Sequence, residues 1–159
     1  MASMSTPEQA KIIFDTICST LDNHEWNYEK NEEHFVIGCT ARGDDLPMDL
    51  TIRVDAERGV VMLYSKMPFP IPEDKRLDLA VAISALNNKL ADGCFDYNIA
   101  SGEIFFRLTN SYIDCTLSEA VFDYMLYCGC QVVDEYNDTF LMIAKGMCSL
   151  EQFLGKLES

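Results

Sequence analysis

Met48-Asp49-Leu50-Thr51-Ile52-Arg53-Val54-Asp55, followed by Ala56-Glu57-Arg58-Gly59 and then Val60-Val61-Met62-Leu63-Tyr64-Ser65-Lys66-Met67, is the stretch that decides the fold. Apolar and polar residues alternate strictly in the first run, the pattern of an antiparallel strand with one buried face. Glu57-Arg58-Gly59 turns the chain, with Gly59 able to take a positive φ, and the run from Val60 to Met67 returns as the partner strand. Upstream, Phe35, Ile37, Cys39 and Ala41 alternate with His34, Val36 and Thr40 as a further strand, and Gly43-Asp44-Asp45 makes a loop. Trp26 and Tyr28 lie before it on a short extended piece. Thr6-Pro7-Glu8-Gln9 opens a first helix with an N-cap, a proline at the first position and a capping box. Ala10, Ile13, Phe14, Ile17 and Leu21 give it one apolar stripe, and Asp22-Asn23 ends it.

Downstream, Pro68, Pro70 and Pro72 forbid regular pairing and force an extended connector. Pro72-Glu73-Asp74 starts a helix with stripe Leu79, Ile83, Leu86 and Leu90, and Gly93 stands in its C-cap region. A second hairpin follows: Phe95, Tyr97 and Ile99, a turn at Ser101-Gly102, then Ile104, Phe106 and Leu108. Thr116 and Glu119 suggest a capping box for a long helix to about Ala144, stopped by Gly146. The competing reading of residues 130–144 is a hairpin turning at Asn137-Asp138. Ser149-Leu150-Glu151-Gln152 caps a short final helix. The order α-βββ-α-ββ-α-α predicts an α+β fold, a largely antiparallel five- to six-stranded sheet with helices packed on it.

The 159 residues are 48% hydrophobic and 24% charged, and read as a single domain, 1–159, with 1–5 as a disordered N-terminus. No apolar run reaches the ~18 residues of a membrane span, and Met1 to Lys11 lack the pattern of a signal peptide. Twelve basic against 26 acidic side chains give a net charge of −14. The excess is diffuse: 8 against 15 in residues 1–80, and 4 against 11 in residues 81–159. Such a surface repels phosphate, which argues against nucleic acid and anionic membrane as partners. The seven cysteines (Cys18, Cys39, Cys94, Cys115, Cys128, Cys130 and Cys148) are odd in number and scattered, which fits reduced thiols in a cytoplasm. Cys128-Gly129-Cys130 is C-x-C rather than a zinc or redox C-x-x-C.

Taken in order, several elements match a known family. They are Trp26 after the first helix; Met67-Pro68-Phe69-Pro70-Ile71-Pro72 with Arg76; Leu86-Asn87, Leu90 and Gly93-Cys94-Phe95-Asp96; Gly102-Glu103-Ile104-Phe105-Phe106-Arg107; and Ala144-Lys145-Gly146. Over about residues 21–157 the chain resembles the YbjN-type sensory transduction regulators, whose fold resembles type III secretion chaperones. The resemblance implies a type III secretion chaperone-like α+β fold, a homodimer in a bacterial cytoplasm, and a protein partner or peptide segment as ligand. It implies no enzyme activity, no catalytic or metal-binding residues and no cofactor.

G-x-S-x-G, Walker A, Rossmann and H-E-x-x-H motifs are absent. Asp44-Asp45 reads as a solvated turn, or as part of a cation site if further ligands join it. Asp134, Glu135 and Asp138 share one helical turn without the spacing of a calcium loop. His34, on a strand face beside Glu32 and Glu33, anchors the enzyme alternative, a small metal-dependent hydrolase built with Asp44-Asp45. A small-molecule sensor with a pocket between sheet and long helix is the other alternative. The favoured reading is a non-enzymatic, chaperone-like or regulatory interaction module. Once the more apolar side of each strand is assigned to the core, the opposite side still carries Val36, Met62, Tyr64 and Phe105, with Thr51, Arg53 and Arg107 among them. Val36, Arg53, Met62, Tyr64, Phe105 and Arg107 are therefore the candidate partner-binding face, unless the terminal helices of the same chain cover it.

Overall fold

The computed structural model describes residues 6–159; the expected N-terminal extension, 1–5, lies outside the described residues. Thr6 Oγ1 accepts the Gln9 amide at 3.1 Å and Pro7 takes the first turn of α1 (Pro7–Asn23). Only half of the expected capping box forms. The Gln9 side chain instead donates to the carbonyls of Tyr112 and Cys115, each at 2.9 Å, tying α1 to the loop at the far end of the sheet. The strands are β1 (Tyr28–Asn31), β2 (Val36–Arg42), β3 (Pro47–Asp55), β4 (Val60–Lys66), β5 (Cys94–Asn98) and β6 (Glu103–Ser111). A 3₁₀ turn at Glu73–Lys75 leads into α2 (Arg76–Asn87), and α3 (Glu119–Ala144) and α4 (Leu150–Glu158) close the chain.

All pairings are antiparallel in one six-stranded sheet, ordered β1-β2-β3-β4-β6-β5. Four strands precede α2 rather than three, because the piece after Trp26 pairs as β1, with Tyr28 opposite Cys39. Those four mostly polar edge residues carry no alternation to announce a strand. His34 and Phe35 lie in the turn before β2, not on its face, and Ile99 lies exposed beyond the end of β5. Residues 130–144 are helix throughout, inside the 26-residue α3, so the hairpin alternative is excluded. No side chain caps α3; Glu119 accepts from Ser19 at 3.0 Å and Asn23 at 3.1 Å, so it ties α3 to α1 instead of closing a box with Thr116. Gly93 opens the turn into β5, while Asn88 is the C-cap of α2. The Ser149–Gln152 capping box forms in full.

The helices build on the side of the sheet that carries Ile37, Leu50, Ile52, Val54, Val61, Leu63, Ile104, Phe106 and Leu108, all buried. Burying each such side chain contributes roughly 2 kcal/mol of transfer free energy. Phe95 joins strand to helices through edge contacts with Phe106 at 5.3 Å and Phe140 at 5.0 Å. Gly129 lets α3 approach the sheet, for a Cβ there would stand 2.9 Å from Leu63 Cδ2. That packing accounts for a glycine in mid-helix despite its cost of ~1 kcal/mol relative to alanine.

Several of the residues that carried the resemblance, the proline-rich connector with Arg76, Asn87, Phe95 and Gly102, meet at the β5–β6 end of the sheet. Trp26 instead lies beside α3 with His24 and Leu126. The Ile71 amide donates to Gly102 O at 2.8 Å, docking the proline-rich connector on the turn. A Cβ on Gly102 (φ +78°) would lie 2.3 Å from Ile71 O, so the turn needs glycine both for its conformation and for this approach. Arg76 donates to Ala100 O at 2.6 Å and Ile71 O at 3.2 Å. Asn87 binds both the N–H and the C=O of Phe95, at 2.8 and 3.0 Å, which blocks part of the outer edge of β5.

Two substitutions probe this core. Gly129→Val should lower the unfolding free energy by about 1–3 kcal/mol through overpacking against Leu63. Ser65 is 1% exposed on the helix side of β4 and its Oγ has no partner among the described residues. Ser65→Ala should therefore leave stability unchanged or raise it by up to about 1 kcal/mol. Chemical denaturation of both variants checks the two signs.

Candidate interaction face

Alternation places the other half of each strand on the side away from the helices. Among the described residues no helix lies over it: α1 and α3 pack on the opposite side of β3, and α2 lies against β5. The six candidate residues all fall on this face, in three successive rows. Val36, Arg53, Met62 and Thr109 are opposite one another across β2, β3, β4 and β6. The next row runs Glu29, Gly38, Thr51, Tyr64, Arg107 and Cys94 across all six strands. Lys66, Phe105 and Asp96 make the third. Met62 is 9% exposed yet outside the core cluster, and Tyr64 donates its hydroxyl hydrogen to the Met62 sulfur at 3.0 Å.

Two ion pairs stand on the face. Arg107 grips Asp96 with two bonds, 2.6 and 3.1 Å, and its Nη2 approaches the Cys94 sulfur at 3.5 Å. This hydrogen bonding raises the pKa of Arg107 and lowers that of Asp96, while burial pushes the Cys94 thiol up. Lys66 binds Glu103 at 2.5 Å and stands 5.6 Å from the Phe105 ring centre; its hydrogen bond, more than the one from Ser101, holds the Glu103 carboxyl low. Arg53, exposed between Val36 and Met62, makes no hydrogen bond or ion pair among the described residues.

Two depressions extend the face. One, of about 600 Å³, lies between Glu29, Thr40, Asp49 and Thr51, around Gly38, beside which a Cβ would meet nothing within 4 Å. A glycine inside a strand is a signal for such a gap, and it went unread in the sequence. The other, of about 360 Å³, lies where Pro68, Phe69 and Pro70 meet Asp49, Lys66 and Glu103.

The remaining sequence candidates lie apart from this face. His34 precedes β2 and Asp44-Asp45 follow it, so they are separated by a seven-residue strand, roughly 23 Å at ~3.3 Å per residue. The hydrolase arrangement is not assembled. Asp44 and Asp45 do meet Asp134, Glu135 and Asp138, and Asp134 accepts the Asp44 amide at 2.9 Å. No group of three or more His, Cys, Asp or Glu suited to a metal occurs among the described residues. A groove of about 410 Å³ borders α3 beside His24, Trp26, Leu126, Tyr127 and Cys130, with His24 bonded to Asp123 at 2.7 Å. All seven cysteines are free thiols; burial pushes those of Cys39 and Cys130 up to about 11.

The family model described as "YbjN: Putative bacterial sensory transduction regulator" matches residues 14–142, most of the chain. The chain belongs to the YbjN family. Among solved structures, this YbjN-family chain is similar to the crystal structure of YbjN, "a putative transcription regulator from E. coli", at 12% identity with a TM-score of 0.57. That match covers 87% of this chain and 96% of the other. It is also similar to a chain in the structure of the HopA1–SchA chaperone–effector complex, at 17% identity and a TM-score of 0.51, covering 82% and 94%. No curated protein matches. At these identities the structures establish a shared fold, the α+β chaperone-like architecture that the resemblance implied. Among the described residues no helix is long and apolar enough to cross a membrane.

The Arg107–Asp96 pair yields a pH prediction. A carboxyl whose folded pKa lies below its unfolded value adds stability above the unfolded pKa of ~3.9, and loses it as pH falls through the folded value. The two side chains are 39% and 46% exposed, so Asp96→Asn should cost less than about 1 kcal/mol at pH 7. The difference from wild type should close as pH falls below about 4. Parallel urea titrations at pH 7 and pH 3 measure it.

Proposed function

We propose that the chain is a non-enzymatic protein-interaction module of a bacterial cytoplasm, chaperone-like or regulatory, whose open sheet face docks a segment of another protein. One observation carries this reading: aromatic and Met side chains lie on the face without helices, where the acidity of the chain also falls away. The outward strand positions hold four cations, Arg42, Arg53, Lys66 and Arg107, against five carboxylates, Glu29, Asp49, Asp55, Asp96 and Glu103. That leaves 8 of the 12 basic and 21 of the 26 acidic residues elsewhere, so the face is close to neutral on a chain of charge −14. A partner approaching there meets the least repulsion and desolvation cost.

Its composition also bears on the occupant. Val36, Val60, Met62, Tyr64 and Phe105 are its large apolar side chains, interspersed with Thr, Asp, Glu and Arg. Homodimer interfaces are more apolar, with about 65% of their area apolar. A segment anchored at a few apolar points suits this face better than a second copy does. Family membership and the chaperone-type fold support an interaction role without chemistry of its own.

The pair Tyr64→Glu and Phe105→Glu tests the proposal, with Leu77→Glu on the 73%-exposed outer side of α2 as control. In cross-linking pull-downs from the native host, the two face variants should lose the partners that wild type and the control both retain, while melting temperatures stay close. If both face variants keep wild-type partners, oligomeric state and melting temperature, the docking reading is wrong.

A further inference from the structure

We infer that the docked segment presents one carboxylate to Arg53, beside Met62, with apolar side chains two and four residues along it that lie over the rows of Tyr64 and Phe105. This rests on the docking reading above and specifies its ligand. Of the cations on β3, β4 and β6, Arg107 is engaged by both oxygens of Asp96 and Lys66 by Glu103. Arg53 alone of the three makes no such bond among the described residues. Asp55, two residues along the same face, is turned to the next loop, its Oδ1 accepting the amides of Glu57 and Arg58 at 3.1 and 2.9 Å. Arg42 also lacks a partner among the described residues, but it stands at the end of β2, outside the apolar rows.

A guanidinium offers five donors in a plane and fits a carboxylate with two parallel bonds. Arg53 is flanked by Val36 on β2 and Met62 on β4, and Tyr64 lies diagonally next to it. Side chains on one side of an extended segment repeat every ~6.7 Å, which matches the spacing of successive rows on this sheet. An acid over Arg53 therefore carries its second and fourth neighbours over the Tyr64 row and the Phe105 row. The acidity of the remaining surface opposes a run of acids, so a single Asp or Glu among apolar residues is the segment chemistry that fits.

Panning a random linear-peptide display library against the full-length protein tests this. Peptides that wild type selects should carry one Asp or Glu with apolar residues at the second and fourth positions. Measured by fluorescence anisotropy, they should bind Arg53→Gln about tenfold more weakly. The salt dependence seen with wild type should flatten in that variant. Panning with Arg53→Glu should select Lys or Arg in place of the acid. Arg53 is exposed, so melting curves should show all variants folded. If selected peptides are lost with Tyr64→Glu and Phe105→Glu yet bind Arg53→Gln as well as wild type, the Arg53 assignment falls and the docking reading stands. If no peptide is selected, or those selected ignore all of these changes, both fall.

Discussion

The pairing of β3 with β4, Ile52 opposite Leu63 and Arg53 opposite Met62, is the constraint on which the rest of the molecule depends. Because side chains alternate with period two, one register fixes both faces of the sheet at once. A slip of one residue would carry Arg53 under α3 and expel Ile52 into water. The core side therefore holds the register for the open side. Every apolar contact under α3, including the close approach of Gly129 to Leu63, also keeps Tyr64, Arg107 and Thr51 in one row. The arrangement of the open face is set by packing it takes no part in.

Charge follows the same division. A net −14 spread over a small chain costs self-repulsion, which distance and screening reduce at the helical surface. On the sheet, strands are only ~4.8 Å apart, and like charges on neighbouring strands would repel strongly. The face instead sets Arg107 beside Asp96 and Lys66 beside Glu103. Near neutrality there is partly a requirement of sheet formation. The apolar trio of Met62, Tyr64 and Phe105 is not, because Thr also suits a strand and exposes far less apolar surface to water.

The two hairpins, the first helix and the final capping box were legible because alternation, stripes and caps are local signals. The same local logic misread Gln9 and Glu119. Both stand at helix starts with box spacing, yet both side chains reach across to other elements, a choice made by tertiary proximity. β1 was hidden because an edge strand of Tyr28, Glu29, Lys30 and Asn31 has little to bury. Of the candidate face, the six side chains and their shared orientation were readable from parity. The pairing of Arg107 with Asp96 and the isolation of Arg53 were not, since both depend on which strand lies beside which.

Most of the residues by which the family is recognised lie away from Val36, Arg53, Met62 and Tyr64 of the proposed binding face for a physical reason, while Phe105 and Arg107 belong to both sets. The proline connector, Arg76, Asn87 and Gly102 satisfy backbone groups at the β5–β6 end of the sheet, where a connector without regular pairing must find hydrogen-bond partners. Changes there disturb the fold whatever the protein binds, so they mark descent and architecture. Val36, Met62 and Tyr64 satisfy no backbone group and close no turn, so on the proposed docking reading their replacement costs a partner more than it costs the backbone of the fold. On that reading the open face is free to change what it recognises without disturbing the stapled end, because no backbone hydrogen bond depends on its side chains.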